Sequence, residues 1–176
     1  HTSDENDNAI PYITSYYKRN WAFCINKIQE SKLKDDYYEV FIDSNFNAKG
    51  VLNYGEAVIK GKSKKEVLIS TYICHPSMAN NEISGPVVAT YIGQWLKTLN
   101  KREYTYRFLF LPETIGSIAY ISKNLKKMKQ NIKAGFVLTC IGDERNYSYL
   151  ESRSGKTLSD KAAKLALQRI DKKYKK

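Results

Sequence analysis

Val67-Leu68-Ile69-Ser70-Thr71-Tyr72-Ile73, running into Cys74-His75-Pro76-Ser77-Met78-Ala79-Asn80-Asn81-Glu82-Ile83-Ser84-Gly85-Pro86, is the stretch on which the fold turns. Its first part is apolar and β-branched, the composition of a buried strand. Its second part is polar and rich in ligand-type side chains, and an apolar run of helical spacing follows from Val87 to Leu99. Polar groups therefore sit where a buried strand ends and a helix begins. In open α/β sheets that crevice, at the carboxyl ends of the strands, is where ligands bind. His75 is one of only two histidines in the chain, His1 being the other.

The same alternation continues downstream. Pro86–Leu99 predicts a helix with Val88, Ile92, Trp95, Leu96 and Leu99 on its apolar side. Tyr104–Leu111 predicts a strand, Ile115–Lys123 a helix, Ile132–Cys140 a strand and Leu158–Ile170 a last helix. Tyr147–Ser152 offers a further short strand. Strand–helix alternation of this kind implies an α/β sheet with helices packed on it. Upstream of Glu66 the pattern differs. Asn26–Leu33 reads as a short helix, Tyr37–Asp43 as a strand and Val51–Lys60 as its return partner, a small antiparallel unit. The reading divides the chain into an N-terminal segment, 1–65, and an α/β core, 66–176.

Large aromatics crowd Pro11–Tyr17 and Trp21–Cys24. Such clusters bury much area wherever they pack, as a core or docking patch or as the wall of a small-molecule pocket.

The totals exclude several classes. At 176 residues the chain fits one domain with a small appendage. No run approaches the roughly 18 apolar residues that a membrane span needs. The opening His1-Thr2-Ser3-Asp4-Glu5 has no initiator Met and no leader pattern, and the expectation is a piece of a longer polypeptide, truncated at both ends. The net charge of +11 invites a nucleic-acid reading. The lysines are spread out, thickest at Lys123–Lys133 and Lys172–Lys176, and no helix-turn-helix, zinc-finger or RNA-recognition signature accompanies them. A solvated lysine surface explains the charge, and nucleic-acid binding ranks last. Three cysteines, Cys24, Cys74 and Cys140, are odd in number and widely spaced, with no Cys-x-x-Cys pair. That argues against a disulfide framework and for a reducing, cytoplasmic location.

Three strands end in polar clusters. The first ends in Cys74-His75 and the Asn80-Asn81-Glu82 loop, the second in Pro112-Glu113-Thr114, the third in Cys140-Ile141-Gly142-Asp143. If the strands are parallel, all three ends open on one edge of the sheet. A His with carboxylates or a thiolate is what a divalent metal, zinc above all, requires. A carboxylate outside the ligand set can serve as base toward water. Each element has a plainer explanation: a structural His75, a Glu113 favoured by the dipole of the following helix, a Cys140 acting as a small apolar side chain. A nucleophilic cysteine is a further alternative. Strand alternation sets Cys74 and His75 on opposite faces, leaving Cys140 against His75 as the pairing open to it.

The Cys74–Pro86 stretch, Arg107–Ser117 and Gly135–Asp143 resemble the bacterial aminopeptidase-like domain family found with surface-polysaccharide biosynthesis, as do Ile10–Tyr12, Thr14–Tyr17 and Trp21–Cys24. That family is similar to the co-catalytic zinc aminopeptidases. The resemblance implies an α/β/α sandwich with a mixed, mainly parallel sheet and a small inserted antiparallel β-subdomain. It places His75 on the first His ligand and Ala79–Gly85 on the loop that carries a bridging carboxylate. Asn81 stands where Asp is expected, with Glu82 beside it able to take over. Glu113 falls on the general base, Thr114 replaces a ligand Glu, and Cys140 or Asp143 falls near a later Asp ligand. The metal set so implied is His75, Glu82, Cys140 and Asp143, holding one zinc ion at most, with Asn80, Asn81 and Thr114 lining the substrate. Two functions follow. One is a zinc-dependent aminopeptidase-like hydrolase acting on an amide of a peptide or amino-sugar-like substrate, with Glu113 as base. The other is an inactive relative that binds a peptide or sugar.

Overall fold

In the computed structural model, residues 1–3, 5–11, 13, 21–45, 47–75, 78–170 and 174 are described. The chain divides into two compact units, 1–48 and 49–176.

The first unit holds one short helix, α1 (Lys27–Glu30). It starts with a capping box: the Asn26 side chain accepts from the Gln29 N–H at 2.8 Å, and the Gln29 side chain accepts from the Asn26 N–H at 3.2 Å. Trp21 and Phe23 meet edge to face, ring centroids 5.8 Å apart. Of the aromatic cluster read from the sequence, Tyr12, Tyr16 and Tyr17 lie outside the described residues.

The second unit is mixed α/β. Its elements run β1 (Gly55–Ile59), β2 (Glu66–Tyr72), a π-helical turn (Ala79–Ile83), α2 (Ser84–Thr98), β3 (Thr105–Leu111), α3 (Ile115–Asn131), β4 (Ile132–Leu138) and α4 (Leu158–Ile170). The sheet order is β1-β3-β2-β4. β2 pairs in parallel with both β3 and β4, and β1 pairs antiparallel with β3. The carboxyl ends of β2, β3 and β4 therefore share one edge, as the sequence alternation implies.

Two differences stand out upstream and on α2. Residues 37–43 carry no strand, and β1 instead pairs with β3, Gly55 opposite Phe110 and Ile59 opposite Tyr106. Trp95 is 60 % exposed, and Ala89 takes a buried place on α2 beside Leu96. Helix α3 also runs on to Asn131, because Met128 continues its apolar side and packs against the sheet.

The sheet is apolar on both faces. Ile69 and Phe108, opposite each other in the parallel register, pack with Ala89 and Leu96 of α2. The neighbouring positions Leu68, Leu109 and Leu111 face the other way and pack with Tyr120 and Met128 of α3. So α2 and α3, which leave neighbouring strands, cover opposite faces.

Polar fasteners lock this frame. Arg107 forks onto buried Glu66, with Nε donating at 2.6 Å and Nη2 at 2.8 Å, and also donates to Glu56. The Tyr120 hydroxyl donates to Glu56 at 2.8 Å. Burial, reinforced by that bond, pushes the Tyr120 phenol up to about 12. At the start of α4, buried Asp160 accepts from Thr157, Tyr149 and Ser152, hydroxyl and backbone donors at 2.6–2.8 Å. Those bonds, led by Thr157, hold its carboxyl far below the usual carboxylate range. Ser159 next to it accepts from the Gly135 N–H at 2.9 Å, which ties α4 to β4. Among the described residues no helix is long and apolar enough to cross a membrane.

Candidate functional site

The loop after β2 turns toward one face of the sheet and the loop after β3 toward the other. Between the ends of these two neighbours lies the gap that sheets of this kind use for ligands. Cys74, His75 and Glu113 stand at that gap.

Pairing of β2 persists only to Ile73, whose N–H donates to the Leu111 carbonyl at 3.0 Å. Beyond it the chain leaves the sheet, and strand alternation no longer governs side-chain direction. Cys74 and His75 consequently converge, Sγ lying 3.2 Å from Nδ1. The expectation that they point to opposite faces is corrected by that distance.

The π-helical turn then brings a carboxylate back to them. The Ile83 N–H reaches the Met78 carbonyl at 3.3 Å, the i→i+5 bond that widens the turn. Glu82, 3 % exposed, accepts from the Cys74 N–H at 3.0 Å on Oε2 and from His75 Nδ1 at 2.9 Å on Oε1. Burial pushes its carboxyl up, but hydrogen bonds from His75 and from the backbone of Cys74 and His75 outweigh that and leave it below the usual value.

The end of β3 closes the group. Thr114 sits at φ 55°, ψ −70°, and the Ile115 N–H donates to the Glu113 carbonyl at 2.6 Å. That is a γ-turn of the strained kind, and for a β-branched residue a positive φ is a real outlier. Glu113 donates its N–H to Cys74 Sγ at 3.0 Å. Backbone strain concentrates at functional sites, where surrounding structure holds it.

One ligand atom from each of Cys74, His75, Glu82 and Glu113 falls within 4.8 Å of the other three. The donor set fits zinc in its chemistry: a tetrahedral ion with ligands at about 2.0–2.3 Å separates them by about 3.3–3.8 Å. Here Sγ–Oε1, at 3.6 Å, falls in that range, while Sγ–Nδ1 at 3.2 Å and Nδ1–Oε1 at 2.9 Å are hydrogen-bond distances that would open as an ion replaces the His75 proton. Burial raises the Cys74 thiol above its usual value, with Glu82 and Glu113 adding to the rise against the Glu113 N–H. That disfavours a free thiolate nucleophile.

The end of β4 forms a second group. Asn80 donates to Asp143 at 2.9 Å and accepts from the Gly142 N–H at 2.7 Å. Asn81 donates to Cys140 Sγ at 3.5 Å, and Thr139 donates to the Asn81 carbonyl at 2.9 Å. Cys140 has a positive φ of 53°. The Arg145 side chain and backbone hold Asp143 well below the usual range. Tyr72 lies close to both groups: burial raises its phenol, and Glu113, Glu82, Cys140 and Cys74 push it the same way.

Of the residues singled out from the sequence, the structure gathers His75, Glu82 and Glu113. It sets Cys140 and Asp143 with Asn81 and Asn80, and Thr114 at the strained turn. Cys74 joins the first group although the sequence reading gave it no ligand role. Its position past the last paired strand residue is the signal that would have found it.

A family model described as "Domain of unknown function (DUF4910)" matches residues 6–176. The chain belongs to that family. A relative from Clostridium acetobutylicum named "Putative polysaccharide biosynthesis protein with aminopeptidase-like domain" is 45% identical over 174 residues, covering 99% of this chain and 39% of the relative. A crystal structure of a "putative peptidase" from Clostridium acetobutylicum, also 45% identical, superposes with a TM-score of 0.78 over 99% of this chain and 41% of that one. This DUF4910 chain thus spans about two fifths of the length of the relatives it matches, and the aminopeptidase-like resemblance read from its motifs agrees with their names.

Proposed function

We propose that this chain carries the metal-binding part of an aminopeptidase-like hydrolase that cleaves an amide in a peptide or amino-sugar substrate. The observation that carries the reading is the convergence of Cys74, His75, Glu82 and Glu113 at the gap between β2 and β3. Names of the two relatives support the peptide and polysaccharide sides of the substrate class. The frame is read as an α/β/α sandwich, with α2 and α3 packed on opposite faces of the sheet. Free thiols at Cys24, Cys74 and Cys140 support a cytoplasmic setting.

His75 and Glu82 would hold one zinc ion, which supplies Lewis acidity to a carbonyl and to water. Glu82 is anchored by the Cys74 N–H and by His75, so it offers its charge with little reorganisation. Glu113, positioned by the turn at Thr114, takes the proton of the attacking water and returns it to the leaving amine. Asn80, Asn81, Cys140 and Asp143 form the polar wall at the end of β4 and present groups to the substrate.

The test is zinc content by mass spectrometry on the full-length protein, with amide hydrolysis compared between wild type and Glu113→Gln. Retained zinc with hydrolysis lowered about 10²–10⁴-fold supports the base assignment. Binding of peptides or amino sugars without turnover in wild type would favour the inactive, ligand-binding relative. Zinc-free protein would sink the metal reading.

A further inference from the structure

Cys74 is the residue that the aminopeptidase-like resemblance leaves without a task. We propose that Cys74 is a direct metal ligand through Sγ, so that the site selects a thiophilic ion such as zinc over magnesium or manganese. The inference rests on the metal reading of the same site and deepens it by adding a sulfur ligand to His75 and Glu82.

Three observations carry it. First, Sγ stands 3.2 Å from His75 Nδ1 and 3.6 Å from Glu82 Oε1. The second distance equals the edge of a tetrahedron built on one sulfur and one oxygen ligand at about 2.3 and 2.1 Å. Second, the Glu113 backbone N–H donates to Sγ at 3.0 Å. Backbone donors aimed at a sulfur are the outer contacts that stabilise ligating thiolates. Third, Sγ belongs to the same group as His75 and the two carboxylates, one ligand atom of each lying within 4.8 Å of the others. A thiolate at Cys74 adds one negative charge beside Glu82. On ligation the S–H bond is replaced by a sulfur–metal bond, and the proton leaves to solvent. Soft sulfur favours zinc and cobalt, whereas all-oxygen sets suit magnesium and manganese.

The test is cobalt(II) substitution of the full-length protein, read by absorption. Cobalt bound through a thiolate gives an intense near-ultraviolet sulfur-to-metal charge-transfer band beside its weaker visible bands. Wild type is expected to show both. Cys74→Ser, which keeps an acceptor for the Glu113 N–H, should lose the near-ultraviolet band, keep the visible ones and bind cobalt at least about 10-fold more weakly. Cys140→Ser should leave the spectrum unchanged. Circular dichroism of each variant checks the fold, and the sulfur shell of zinc-loaded wild type in X-ray absorption gives a readout free of mutation. Visible bands without charge transfer in wild type, or a band lost in Cys140→Ser but kept in Cys74→Ser, overturns the Cys74 assignment while the metal site stands. Wild type that binds no cobalt and no zinc overturns both.

Discussion

His75 Nδ1 lies 2.9 Å from Glu82 Oε1, and the same carboxylate takes the Cys74 N–H on its other oxygen. A carboxylate that accepts cannot also donate, so without a metal the proton on this contact belongs to His75 Nδ1, and an ion held by Nδ1 would displace it. One buried acid thus fixes the strand end, the imidazole and the turn that carries it. That arrangement sets the consequences below.

Glu82→Ala should destabilise the protein by about 1–3 kcal/mol even without metal, because it leaves the half-buried Cys74 N–H without its acceptor. Chemical denaturation at neutral pH measures it. A variant as stable as wild type would mean that the carboxylate is not structural at the end of β2.

Arg107→Met should cost about 3–5 kcal/mol, since it strands Glu66 as an unpaired buried charge. The hydrogen bonds from Arg107 hold the Glu66 carboxyl below its ordinary value of 4.5, against the opposing push of burial. A lowered folded value means that this contribution is complete above about pH 4.5 and is lost as pH falls through the lowered value. Denaturation curves from pH 7 to pH 3 should show wild type losing stability on acidification and Arg107→Met losing less. Parallel pH slopes would contradict the pairing.

Thr114→Gly should raise stability by about 0.5–2 kcal/mol. It releases a strain of about 1–3 kcal/mol, offset by the greater freedom of glycine in the unfolded chain. Hydrolysis, by contrast, should fall, because Glu113 is then held less firmly. A thermal melt beside an activity assay checks both directions.

Gly85→Ala should destabilise by about 1–3 kcal/mol or more, by overpacking. A Cβ there would collide with Thr71 Oγ1 and the Leu138 carbonyl oxygen, where α2 enters over β2 and β4. The shift would also displace Glu82, so metal affinity should drop along with the melting temperature.

Much of this architecture is written locally. Leu158–Ile170 reads as a helix and is one to the residue, and the strands from Glu66 onward carry continuous apolar runs that only burial explains. The pairing of β1 with β3 is not local. Gly55–Ile59 looks the same whether its partner is residue 40 or residue 108, and tertiary packing decides. The exposed Trp95 shows the same limit, since helical spacing marks an apolar face without saying what covers it. At the site, the nearness of His75 and Glu113 follows from the parallel pairing of β2 and β3, which strand–helix alternation implies. Cys74 is not legible in the same way, because strand alternation governs side-chain direction only along the ladder, and past Tyr72 the backbone is free to turn Cys74 and His75 toward each other.

The most direct measurement is zinc affinity by chelator competition on the full-length wild type, His75→Ala and Glu82→Gln. The account predicts one zinc bound by wild type and a loss of at least about 10-fold in affinity, or about 1.4 kcal/mol, in each variant. Equal zinc affinity in all three proteins, or none in wild type, would contradict it.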